Sequence, residues 1–421
     1  MHNPAVLIAA ASGRALAASA RRAGYAPLVV DYFADQDTIA SAQAHVRLAS
    51  GLDRGMQAPE VMAALQTLSD EHEACGVVWG SGFEDRPSLL RQIAQTWKLM
   101  GNGPDVVEHV KHPMLLAKLC RSCDIPYPAT QLDAPDDGAG WLIKRIGGAG
   151  GTHIHDALEV LTPPRLRGEV DARSAAGDGV SPSAQTRGDA PSPGLLRNPT
   201  SPRKRGEVEL RKAAFYYQRR VAGEPISALV LGDGKAALLL GFSTQWSNPN
   251  SSSPFRYGGA VRPPPLAPEL ADELSVTAQR LTASIGLVGL NSFDFVVDGS
   301  NFHLLEINPR PGATIDIFEP TGRASLFALH VDACRGRLPD RAPLLDGAAA
   351  STIVYAPADI PQIPSFDWPD WSADRPIAGS FISAQSPLCT VLARAATVAQ
   401  ARELVEERAR AILARSRARL S

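Results

Sequence analysis

Cysteine is scarce. The five residues Cys75, Cys120, Cys123, Cys334 and Cys389 in a chain of 421 exclude a disulfide-stapled module and suit a reducing, cytoplasmic compartment. Long apolar runs are missing as well. Nothing approaches the roughly 20 residues needed to cross a bilayer, so no membrane partner is expected. The apolar opening Ala5 to Ala11 has no Lys or Arg ahead of it, while Arg14, Arg21 and Arg22 follow. A buried first strand explains it better than a secretion signal. Charge of one sign is absent too: 42 basic against 44 acidic residues remove any global pull towards nucleic acid. The first turn, Ala10-Ala11-Ser12-Gly13-Arg14, lacks the three spaced glycines of a dinucleotide site, and no Walker pattern occurs. What is present is ordinary: 44% hydrophobic and 20% charged residues describe a folded protein. Its length exceeds the roughly 250–300 residues of one core, which predicts several domains.

The strands 4–11, 27–31 and 76–79 alternate with helical stretches, the first of which ends at Gly24. That order predicts a parallel, helix-covered sheet with ligands beyond the carboxyl ends of its strands. A second part opens near Asp105, with a helix predicted over 111–123 and stopped by Ile125-Pro126-Tyr127-Pro128. Strand 141–144 then runs into Gly147-Gly148-Ala149-Gly150-Gly151. Later strands are predicted at 228–231, 237–241, 292–297 and 302–307, with a helix over 267–285 before the last two. A tail from about Leu344 offers a strand at 351–355, a Trp/Pro-rich connector and a closing helix from Val398.

Between these parts, residues 162–212 change character. They hold no aromatic and no isoleucine, and carry ten basic against six acidic residues. The heptapeptide Pro164-Arg165-Leu166-Arg167-Gly168-Glu169-Val170 returns as Pro202-Arg203-Lys204-Arg205-Gly206-Glu207-Val208. The composition predicts a disordered insertion, and without aromatics to stack on bases it does not read as a nucleic-acid arm.

Chemistry concentrates near Phe293-Asp294-Phe295, the turn Asp298-Gly299 and Leu305-Glu306-Ile307-Asn308-Pro309-Arg310. A hairpin brings Asp294 opposite the Glu306/Asn308 end, and Glu306 and Asn308, two apart on a strand, share a face. Three convergent oxygen-bearing side chains, two of them carboxylates, suit Mg²⁺ (or Mn²⁺) together with phosphates. Lys144 ends an apolar strand and is expected to point into the glycine loop, where exposed backbone N–H groups and an ammonium suit phosphates.

In order along the chain stand Lys111, Lys144 with its glycine loop, Gln218-Arg219-Arg220-Val221-Ala222-Gly223-Glu224, Asp294, and Glu306-Ile307-Asn308-Pro309-Arg310. In this order the chain resembles the ATP-grasp superfamily. The resemblance implies that Lys111 and Lys144, with Gly147, Gly148, Gly150 and Gly151, hold the ATP phosphates. It implies further that Gln218, Arg219, Arg220 and Val221 offer their backbone to adenine, Glu224 binds the ribose, and Asp294, Glu306 and Asn308 hold one or two Mg²⁺ ions. Gln218 stands where the family often has an acidic residue. Gly80-Ser81-Gly82-Phe83-Glu84, Met100-Gly101-Asn102 and Asn308-Pro309-Arg310 resemble the carboxylate–amine ligase branch, and overall the chain is similar to tyramine–glutamate ligase-like proteins of methanofuran and methylofuran biosynthesis. The implied reaction joins a small carboxylic acid to an amine, Arg310 holding the transferred phosphoryl and Arg256 adding an anion contact from a mobile loop. The sequence leaves the oligomeric state open, a homodimer being one option. Two other readings stand beside it: a carboxylase-type or kinase-like enzyme with a different acceptor, and a nucleotide-binding protein inactivated by the insertion.

Cys120-Arg121-Ser122-Cys123 has the spacing of a zinc or redox knuckle but no second Cys/His pair, so buried helix-end thiols are expected. Cys389 is expected in the core of the tail. The expected architecture is α/β: a doubly wound domain over 1–104, two ATP-gripping lobes over 105–161 and 213–340 separated by the insertion, and an extension over 341–421.

Overall fold

The computed structural model describes residues 3–161, 214–322, 324–365 and 367–418. The insertion expected over 162–212 lies outside them. Two compact units form, one of Met1–Pro128, Gly147–His153 and Val221–Ser421, the other of Ala129–Ile146 and Ile154–Arg220.

The first unit opens with the predicted parallel sheet. Strands β1 (Ala5–Ala9), β2 (Ala26–Asp31), β3 (Ala44–Arg47) and β4 (Ala74–Trp79) lie in the order β3-β2-β1-β4. Strand periodicity divides β1 between two cores. Leu7 and Ala9 pack with Leu65, Leu89 and Ile93 of helices Ala58–Glu71 and Pro87–Thr96. Val6 and Ile8 pack with Leu16 and Ala20 of helix Arg14–Arg22 and, beyond it, with Leu229, Leu290, Phe318 and Phe327. One core therefore joins the parallel sheet to the rest of the unit.

That remainder is built on an antiparallel eight-stranded sheet. Its strands are β9 (Glu224–Asp233), β10 (Ala237–Ser247), β11 (Tyr257–Arg262), β12 (Val288–Asp298), β13 (Asn301–Asn308), β14 (Ala348–Tyr355), β15 (Ser372–Ala373) and β16 (Pro387–Ala395). They lie in the order β13-β12-β9-β10-β11-β14-β16-β15. Most are longer than the sequence predicted, because β9 and β12 pair along ten residues from Val288↔Asp233 to Val297↔Glu224. On β12, Phe293 and Phe295 pack against Leu274 and Leu281 of helix Pro268–Ile285, so Asp294 between them faces away from that helix.

Two expectations change. The helix over 111–123 is two helices, Pro104–Lys111 and Pro113–Ser122, broken at His112, since the residue before a proline is driven out of the helical region. The tail is no separate extension: β14 pairs with β11 over Gly259↔Thr352 to Arg262↔Ala349, placing three tail strands in the shared sheet. Among the described residues all five cysteines are free thiols; Cys120 and Cys389 are buried, as expected of core thiols.

The second unit holds a four-stranded antiparallel sheet, β5 (Thr130–Gln131), β8 (Phe215–Arg219), β6 (Trp141–Arg145) and β7 (Ile154–Asp156), in that spatial order. Arg219 covers the ring of Trp141 and donates to the Ala139 carbonyl at 2.7 Å.

Candidate active site

The hairpin forms as read from the sequence: Asp294 lies directly across from Glu306, and Ser292 from Asn308. A bulge between Asp294 and Phe295 adds local twist where the carboxylates sit, a common device beside functional groups. Asn308 joins the three side chains, its Nδ2 donating to Asp294 Oδ2 at 2.8 Å and to Glu306 Oε1 at 3.3 Å. Behind them, Ser227 donates to Asp294 Oδ1 at 2.6 Å and Gln245 to the same oxygen at 3.4 Å. Burial, and then the like charge on Glu306, push the Asp294 carboxyl up to about 7.

Lys111 completes the group. The break at His112 leaves it at the end of its helix, buried, with Nζ donating to Asn308 Oδ1 at 2.7 Å and lying 3.5 Å from Glu306 Oε2. Its ammonium stands as a cation among the hard oxygen donors of two carboxylates and an amide. That chemistry and that stand-in charge fit Mg²⁺. Among the described residues no three His, Cys, Asp or Glu side chains gather as a metal site, so the third donor here is an amide. The sequence reading gives Lys111 to phosphates; in this fold it stands beside the carboxylates that would hold their metal.

Arg310 follows on the same chain. It is buried and its Nε donates to Glu84 Oε1 at 2.7 Å. Glu84, which carried no assigned role in the sequence, sits in the loop after β4, and its other oxygen accepts from the Gly82 N–H at 2.7 Å. Burial alone would raise this carboxyl, but Arg310 and Lys111 overcome it and hold Glu84 below its ordinary range.

The glycine loop 147–151 belongs to this first unit, and two of its glycines, Gly147 and Gly151, press against neighbouring backbone. A Cβ on Gly147 would stand 2.7 Å from the Glu84 carbonyl oxygen, and one on Gly151 would stand 1.9 Å from that of Phe255. The Gly150 carbonyl accepts from the Tyr257 N–H at 3.0 Å. Such close approach is open only to glycine.

Two residues have partners that the sequence did not reveal. Lys144 lies on β6 in the second unit, and its Nζ donates to Gln218 Oε1 at 2.7 Å. The cause is registry: Leu142 faces Gln218 across the β6/β8 pair, and Lys144, two residues along, shares that face. Gln218, buried, also donates to Thr130 Oγ at 3.3 Å. Arg219 is the partner of Trp141 described above, Arg220 donates its N–H to the Gly140 carbonyl at 2.9 Å, Val221 begins the return to the first unit, and Glu224 opens β9 exposed, opposite Val297. Arg256 is a correction. Expected on a mobile loop, it is buried, its guanidinium 3.6 Å from the centre of the Tyr355 ring. Its donors go to the Asn248 and Gln385 carbonyls and side chains at 2.8–3.2 Å. These contacts brace the loop.

Comparison with known proteins identifies a domain. Residues 201–314 match the model of the ATP-grasp domain. The chain carries an ATP-grasp domain. No curated protein matches it by sequence. Among solved structures, the ATP-grasp fold recurs in the biotin carboxylase domain of 2-oxoglutarate carboxylase from Hydrogenobacter thermophilus, a dimer in complex with MgADP, ADP and bicarbonate. It matches with a TM-score of 0.68 and 14% identity, over 95% of this chain and 88% of that one. Biotin carboxylase from Campylobacter jejuni, in a β-γ-ATP complex, matches with a TM-score of 0.66 and 16% identity over 94% of this chain and 88% of that one. At such identities the likeness is one of fold, and it extends well beyond the residues of the matching domain. Among the described residues no helix is long and apolar enough to cross a membrane.

Proposed function

We propose that this protein is an ADP-forming ligase that activates a small carboxylic acid with ATP and transfers the acyl group to an amine. The supporting observation is the convergence of Asp294, Glu306, Asn308 and Lys111 on one face, with Arg310 on the strand's continuation. Mg²⁺, when bound, supplies the positive charge that the β- and γ-phosphates need. Asp294, Glu306 and Asn308 would hold it. The glycine loop would offer its N–H groups to the same phosphates, with Lys111; the family resemblance gives Lys144 a phosphate contact as well, and gives adenine and ribose to the segment from Gln218 to Val221 and to Glu224.

A carboxylate oxygen attacks the γ-phosphorus, the bond to ADP breaks, and Arg310 holds the transferred phosphoryl as an acyl phosphate. The amine nitrogen then attacks the acyl carbon, phosphate leaves, and nitrogen loses a proton. Positioning and charge neutralisation carry such a reaction, so no protein nucleophile is required.

A second reading takes bicarbonate as the carboxylate, as in the H. thermophilus neighbour, whose structure contains it. ADP release measured against a panel of carboxylic acids, amines and bicarbonate separates the two. Amine-dependent ADP release with stoichiometric amide supports the ligase; bicarbonate dependence without amide supports the carboxylase reading; ADP release that responds to none of them sinks both.

A further inference from the structure

The geometry points to Glu84 as the positioning residue for Arg310, holding its guanidinium for a phosphoryl or phosphate group. The inference rests on the reading of Arg310 as an anion holder and adds a residue to that site.

Glu84 and Arg310 are 226 positions apart, and their side chains are only 1% and 10% exposed. Burying a carboxylate is costly unless it is paired and hydrogen-bonded, and Glu84 meets both conditions in a divided way. Oε1 accepts from Arg310 Nε and Oε2 from the Gly82 N–H, each at 2.7 Å. The carboxylate is therefore anchored to its own loop by one oxygen and grips the guanidinium by its Nε edge with the other. Gly82 can turn this way because its φ of 104° suits glycine alone.

Gripping Nε leaves Nη1 and Nη2 to act elsewhere, and among the described residues neither donates a hydrogen bond. Nη1 lies over Gly312, where a Cβ would stand 2.7 Å away; any larger residue would displace it. A buried guanidinium with its fork unoccupied, fixed from behind and given room by a glycine, suits a tetrahedral oxyanion. The Glu84 backbone is also the seat of Gly147, so the loop that orients Arg310 supports the glycine loop as well.

The test measures inorganic phosphate binding by calorimetry to the full chain saturated with MgADP, in the parental protein, Arg310→Met, Glu84→Gln and the double variant. Glu84→Gln keeps the shape but leaves an amide –NH₂ facing a donor, either Gly82 N–H or Arg310 Nε, so the guanidinium loses its fixed pose. Each single variant should weaken phosphate about tenfold or more, as for loss of a charge-assisted contact. The double variant should bind phosphate no more weakly than Arg310→Met alone, and ADP affinity should hold throughout. Glu84→Asp, which keeps the charge but cannot span both donors, should fall in between, and it replaces Glu84→Gln if the latter does not fold. Phosphate affinity unchanged in the Glu84 variants, losses that multiply in the double variant, a parallel loss of ADP, or no phosphate binding by the parental protein would each overturn the inference. Amide formation is not needed for this measurement. A protein that binds phosphate through Arg310 yet makes no amide would refute the ligase reading and leave this one standing.

Discussion

At Glu306 a single charge separates binding from chemistry. Glu306→Gln keeps the side chain's size, its place opposite Asp294 and its distance from Lys111, and removes one of two carboxylates from the cation face. Nucleotide binding should survive while ADP formation falls by about 100-fold or more, as for loss of a group that stabilises developing charge. Turnover at the parental rate would show that Glu306 holds no metal. A second residue-scale outcome concerns His330, buried between Leu290 N–H, which donates to Nδ1 at 2.9 Å, and the Met100 carbonyl, 2.9 Å from Nε2. Both ring positions are occupied by the neutral form, and burial lowers the group to about 4 from 6.5. The native state therefore refuses a proton that the unfolded chain accepts below pH 6.5. Stability contributed by this site is complete above that pH and declines as pH falls towards 4, by about 3 kcal/mol in all. Denaturant midpoints at pH 7 and 4.5 should show a smaller decline for His330→Asn than for the parental chain; equal declines would exclude His330 as the cause.

At the level of elements, Gly150 and Gly151 form a matched pair. Both have positive φ, 71° and 74°, but a Cβ on Gly150 meets nothing within 4 Å while one on Gly151 strikes the Phe255 carbonyl. Alanine at either position carries the same left-handed backbone cost, about 1 kcal/mol; only Gly151→Ala must also lift the loop from its seat. ATP affinity should fall much further in Gly151→Ala than in Gly150→Ala, with similar melting temperatures. Equal losses in fluorescence titrations of ATP would mean that the seat does not matter to nucleotide binding. The same elements show which features the sequence revealed. The Asp294/Glu306 hairpin was readable because its turn and its two-residue periodicity are local. Neither the Lys144–Gln218 contact nor the Glu84–Arg310 pair was, since each joins residues whose meeting depends on how distant strands pair. The burial of Arg256 is hidden because its sequence is loop-like, whereas Tyr355, Asn248 and Gln385 enclose it.

At the level of the molecule, the tail decides whether residues 1–340 could stand without the rest. The sequence suggested an appendage because the Trp/Pro-rich connector resembles a boundary. The sheet order says otherwise: β14 fills the position between β11 and β16, and its Ala349 packs in the core shared with helix Arg14–Arg22. Polar contacts point the same way. Asp374 of the tail accepts from Arg14 Nε at 3.1 Å, Asp316 binds the other edge of that guanidinium, and Arg394 donates to the Glu319 carbonyl at 3.0 Å. Arg14 is therefore a buried cation whose two main partners come from different parts of the chain, and losing one leaves charge incompletely compensated in a buried site. Ending the chain at residue 340 would expose β11 as an open edge, remove the cluster formed by Ala350, Val354, Leu388, Val391 and Val405, and take away Asp374. Burial of five such side chains contributes on the order of 10 kcal/mol, comparable to the whole stability of a domain. The shortened chain should therefore fail to unfold cooperatively and should aggregate through β11, as seen by circular dichroism and light scattering. A soluble, cooperatively folding 1–340 fragment that binds ATP would show that β14 to β16 only decorate a sheet complete without them.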